Sequence, residues 1–78
     1  MSISAIAARM EKARDRYGPY TSSHEGYGVI AEEMAELLTA IRSNDMNAIY
    51  REACDVAAAA AKLAMDCGNT AFQDRSRK

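Results

Sequence analysis

The sequence predicts an all-α fold: an N-terminal helix followed by an antiparallel helical hairpin, in a single domain over residues 1–78. Three observations carry this expectation. Apolar residues recur at three- and four-residue steps through most of the chain. Neither strand-like alternation nor an internal repeat is visible. The one proline, Pro19, lies beside Gly18 and close to Gly26, which concentrates the helix-breaking signals in one place.

The first helix is expected over Ile3 to Tyr17. Ser2 or Ser4 can cap it, and Ile3, Ile6, Ala7, Met10, Ala13 and Tyr17 form its apolar stripe. Residues 18–26, GPYTSSHEG, read as the one clear loop. Ser22 or Ser23 can then cap a second helix, with Glu25 favouring its positive end. That helix should run to about Arg42 on a stripe of Tyr27, Ile30, Met34, Leu37, Leu38 and Ile41. Ser43-Asn44-Asp45 is a turn, and Asn44 or Asp45 can cap a third helix from Met46 to Cys67. Its stripe is expected at Ile49, Ala53, Val56, Ala60, Leu63, Ala64 and Cys67, with Gly68-Asn69 closing it. A short fourth helix is expected around Ala71-Phe72. So short a turn makes the second and third helices antiparallel neighbours.

Composition narrows the function classes. At 78 residues and 49% hydrophobic, the chain is globular but small. Much of its apolar content is alanine, which suits close helix packing, buries little area and points to self-association. Ten basic and eleven acidic residues leave a net charge of −1. That excludes the basic field a nucleic-acid binder needs, and the basic tail Asp74 to Lys78 reads as a solvated terminus. Cys54 and Cys67 are expected to be buried free thiols in a reducing compartment. The longest apolar run, Val56 to Ala61, is too short to span a bilayer. The expectation is a cytoplasmic protein with neither a membrane nor a nucleic acid as partner.

The acids carry the chemistry. Each hairpin helix bears two carboxylates three residues apart beside its apolar stripe: Glu33 with Glu36, and Glu52 with Asp55. Such pairs lie on adjacent turns and can converge on one point. Antiparallel packing would bring all four to the edge of the core, where like charges conflict. A hard divalent cation removes that conflict. Four oxygen donors with room for waters suit Mg²⁺ or Mn²⁺, whereas zinc would call for His or Cys. Neither Glu32, Glu33 nor Glu36 has a basic residue three or four positions later, so helix stability does not account for them.

Glu-Glu-x-x-Glu at 32–36, then Glu-x-x-Asp at 52–55, resembles the signature of the MazG-like all-α nucleoside triphosphate pyrophosphohydrolases. The stretches HEGYGVIAEEMAELLTAIR and REACDVAAAAAKLA, within residues 24–64, look most like the small phage and mobile-element type. The resemblance implies a helical bundle completed by homo-oligomerisation, as a homodimer or a dimer of dimers. It implies Mg²⁺ held by Glu33, Glu36, Glu52 and Asp55, with Glu32 orienting or deprotonating the attacking water. The implied reaction is hydrolysis of a nucleoside triphosphate between its α- and β-phosphates, giving a monophosphate and pyrophosphate.

Cationic side chains should meet the remaining phosphate oxygens. Lys62, two turns beyond Asp55 on nearly the same flank, is the first candidate. Arg51 is a weaker one, and Lys12, Arg9 and Arg16 qualify if the first helix covers the site. His24 and Tyr27 can contact base or sugar, although a helix-capping histidine and a core-covering tyrosine are the plainer readings. The opposing reading of the whole chain is a non-catalytic helical dimerisation or interaction module.

Overall fold

The computed structural model describes residues 3–68, which form α1 (Ile3–Tyr17), α2 (Ser23–Ser43) and α3 (Met46–Gly68). The expected helix at Ala71-Phe72 and the basic tail lie outside the described residues.

Local chemistry sets each helix end. Gly18 takes a left-handed conformation, φ 73°, and its N–H donates to Arg14 O at 2.7 Å, which ends α1 as a glycine cap does. Ser22 caps α2: its Oγ accepts from Glu25 N at 3.1 Å, while Glu25 Oε1 accepts from Thr21 N at 2.6 Å. The two side chains therefore satisfy backbone donors reciprocally. Asn44 is left-handed at φ 59° and closes α2 by donating to Ile41 O. Asp45 Oδ1 accepts from Asn47 N and Ala48 N and so starts α3.

The two-residue link folds α3 back along α2. Gly26, near the start of α2, lies against Leu63 near the end of α3, so the pair is antiparallel. A Cβ at Gly26 would sit 2.7 Å from Leu63 Cδ1 and 3.0 Å from Tyr20 Cδ2. Gly26 is thus a close-packing position inside α2, and the loop expected over 18–26 is shorter, residues 18–22. α1 packs on α3 but not on α2, leaving a cleft that α1 and α2 wall and α3 floors.

Being central, α3 does not bury the stripe the sequence suggests. The buried line is Cys54, Ala58, Lys62 and Asp66, with Ala59 beside it. Its centre lies about 150° of helix rotation from that of the expected line through Ala53, Ala60 and Leu63. Ala60, Ala64 and Cys67 are exposed, so of the two thiols only Cys54 is buried. On α2, Ile30 and Leu37 are half-buried, but Tyr27, Met34, Leu38 and Ile41 face outward.

The charged residues of that line are held by their neighbours. Asp66, 0% exposed, accepts from Arg14 Nη1 at 2.8 Å and from Tyr20 N at 2.9 Å. One carboxylate thereby ties α1, the first loop and α3 together. Asp66→Ala strands the Tyr20 N–H and unpairs a partly buried guanidinium. It should destabilise the fold by about 3 kcal/mol in urea unfolding. A change below about 0.5 kcal/mol would show that the junction is not structural.

Candidate functional site

The acids converge at the seam of α2 and α3. One carboxylate oxygen from each of Glu33, Glu36 and Glu52 lies within 4.8 Å of the other two. The hairpin makes this happen: Glu33 and Glu36 stand a turn apart on α2, and the antiparallel return sets Glu52 opposite them. Glu33 Oε1 and Glu52 Oε1 are buried without a hydrogen-bond partner. Desolvation, followed by the charges of Glu36, Asp55 and Glu52, pushes the Glu33 carboxyl up to about 7. Desolvation, then Asp55 and Glu36, also raises Glu52, and Arg51 opposes that shift only weakly. Two orphaned oxygens in a set of hard donors fit a divalent cation of the Mg²⁺ or Mn²⁺ kind.

Asp55, the fourth acid of the expected set, stands outside this tight group. It pairs with Arg9 of α1, Arg9 Nε to Oδ1 at 3.5 Å, and its charge still reaches Glu33 and Glu52. It also lines the cleft, of about 480 Å³, together with Glu32, Glu33, Arg9 and Lys62. Glu33 belongs to both cluster and cleft, and so joins the carboxylate cluster to the open space. Ala13, Tyr17, Pro19 and Val29 add apolar wall.

The other residues singled out from the sequence fall into two groups. Lys62 lies in the cleft, 4% exposed, with Nζ 3.8 Å from the Tyr20 ring centroid. Glu32 is exposed on the α2 wall. Lys12, Arg51, His24 and Tyr27 are exposed and do not line the cleft, and Arg16 stacks over Tyr17 at 5.7 Å. Sequence reading placed Tyr20 as a core-covering or base-stacking tyrosine and foresaw neither its ring beneath Lys62 nor the Arg14–Asp66 pair. The available signal was Asp66 itself, one turn after Lys62 on the same flank.

Comparison with protein-family models, with curated proteins and with solved structures finds no match to this chain. Among the described residues no helix is long and apolar enough to cross a membrane.

The raised carboxyls give stability a definite pH dependence. The ordinary glutamate value is 4.5, and Glu33 sits at about 7 when folded. Between those values the folded chain holds the extra proton, so Glu33's contribution to metal-free stability is fully present below about 4.5 and is lost as pH rises through about 7. Glu52 acts in the same direction. Glu25 is lowered by its Thr21 hydrogen bonds, so its contribution is lost only in acid, outside this window. Melting in EDTA should therefore show Tm falling from pH 5 to pH 8. Glu33→Gln should flatten the fall, and Mg²⁺ should restore Tm at pH 8. A flat wild-type profile in EDTA would contradict the cluster's electrostatics.

Proposed function

We propose that this chain is a Mg²⁺-dependent nucleoside triphosphate pyrophosphohydrolase, releasing a nucleoside monophosphate and pyrophosphate. The observation that carries the reading is the convergence of Glu33, Glu36 and Glu52 with two buried, unpartnered oxygens on the edge of a cleft holding Lys62. A cluster serving only as solvated surface would leave no carboxylate oxygen both buried and unpaired. The resemblance of residues 32–36 and 52–55 to the MazG-like signature supplies the reaction class.

In this reading Glu33, Glu36 and Glu52 hold the metal, and Asp55 joins them by leaving Arg9. A cation held by these residues would neutralise triphosphate charge and polarise the bond under attack. Glu32, exposed on the cleft wall, takes the proton of the attacking water. Lys62, and Arg9 once released, meet phosphate oxygens. Tyr17, Pro19 and Val29 offer apolar surface to the nucleoside.

The outward face of α2, Tyr27, Met34, Leu38 and Ile41, supports a homo-oligomer, a homodimer or a dimer of dimers, in which a second copy covers it. A helical interaction module without catalysis would account for that face. It gives no reason for two carboxylate oxygens buried without a hydrogen-bond partner.

Pyrophosphate release across the common NTPs and dNTPs is the test. Turnover should require Mg²⁺, stop with EDTA and fall by about 100-fold or more in Glu52→Gln. Unchanged hydrolysis by Glu52→Gln would overturn the assignment.

A further inference from the structure

The Lys62 ammonium occupies an uncommon position. Lysine carries a flexible four-carbon stem and usually keeps its charge in water. Here the residue is 4% exposed, and its Nζ stands over an aromatic face inside the cleft. A carboxylate partner would hold the amine but cancel its charge. The face of an aromatic ring attracts a cation through its quadrupole and leaves the net charge free for an anion. Glu25, whose carboxylate feels the Lys62 charge, already accepts from Thr21 N at 2.6 Å and Thr21 Oγ1 at 3.0 Å.

The ring beneath Lys62 is itself fixed. Tyr20 is 5% exposed; its N–H donates to Asp66 Oδ2, and its hydroxyl donates to Ala59 O at 3.3 Å. Arg14 holds Asp66 in turn. Gly26 lets α2 close on the ring edge, where a Cβ would lie 3.0 and 3.3 Å from Cδ2 and Cε2. On α3, Lys62 stands seven residues beyond Asp55, about 10 Å of helical rise. The cleft therefore has acids toward one end and a fixed cation toward the other.

We propose that Tyr20 is the positioning residue of this site, its ring holding the Lys62 ammonium in the cleft to receive the oligophosphate chain of the substrate. This deepens the pyrophosphohydrolase reading and rests on it for the identity of the substrate. Tyr20 touches no substrate itself; it acts through Lys62. The ring face does the work, so phenylalanine substitutes for tyrosine and an aliphatic residue does not.

Two measurements on the full chain test this. In NMR spectra of the wild type, the Lys62 Hε protons should be shifted upfield by the ring current. The shift should persist in Tyr20→Phe and vanish in Tyr20→Leu. In calorimetry with inorganic tripolyphosphate and Mg²⁺, Lys62→Met should weaken binding about tenfold or more. Tyr20→Leu should weaken it about fivefold, and Tyr20→Phe less than about twofold. Lys62 Hε protons at ordinary positions in the wild type would overturn the proposal, and so would a folded Tyr20→Leu that binds tripolyphosphate like the wild type. Should Tyr20→Leu not fold, the wild-type shift together with the Tyr20→Phe affinity decides. Lys62- and Tyr20-dependent binding without turnover of any nucleotide would count against the hydrolase and for this inference. Turnover with Tyr20→Leu binding unchanged would do the reverse.

Discussion

A single buried carboxylate organises the closed end of the molecule. Asp66 has no exposure, and an ionised carboxylate in that position costs several kcal/mol unless it is paired and hydrogen-bonded. Arg14 and the Tyr20 N–H supply those partners from α1 and from the first loop. Because α1 makes no packing contact with α2, this junction and the face of α1 on α3 are what set the cleft's width. The Arg9–Asp55 pair adds an exposed link nearer the acids, and at that exposure it contributes little stability.

At the α2–α3 seam the electrostatics run the other way. Glu33, Glu36 and Glu52 gather like charge where water is partly excluded, and their conflict raises Glu33 to about 7. The fold accepts an arrangement that destabilises it. Cations at those positions would have given i,i+4 support instead. Such local conflicts occur where a site needs them, and raised carboxyls beside a cleft mark a functional candidate. The junction at Asp66 and the cluster at Glu33 therefore contrast: one buried carboxylate is fully paired, while Glu33 and Glu52 each keep a buried oxygen without a hydrogen-bond partner.

Helix ends were legible in the sequence because caps are local. Ser22, Asp45 and Gly18 act within a few residues of themselves. The closeness of Glu33, Glu36 and Glu52 was legible because i,i+3 spacing survives any packing of the helix, whereas the Arg9 partner of Asp55 was not. The buried face of α3 was not. Alanines at 57–61 make that helix apolar nearly all round, so periodicity could not choose between its two sides. The line chosen carries Lys62 and Asp66, which hydropathy alone would assign to solvent. Their burial depends on Arg14, 52 residues away from Asp66, and on the Tyr20 ring, contacts that only the tertiary fold creates. Gly26 misled for a related reason: it permits close approach of Leu63 and Tyr20, where a glycine following the Pro19 loop reads as part of that loop.

The most direct measurement is ³¹P NMR of the purified protein with Mg²⁺ and a mixture of NTPs and dNTPs. The account predicts resonances of nucleoside monophosphate and pyrophosphate growing together, with no diphosphate or orthophosphate. Diphosphate and orthophosphate as the products, or a spectrum unchanged at high enzyme concentration, would contradict it.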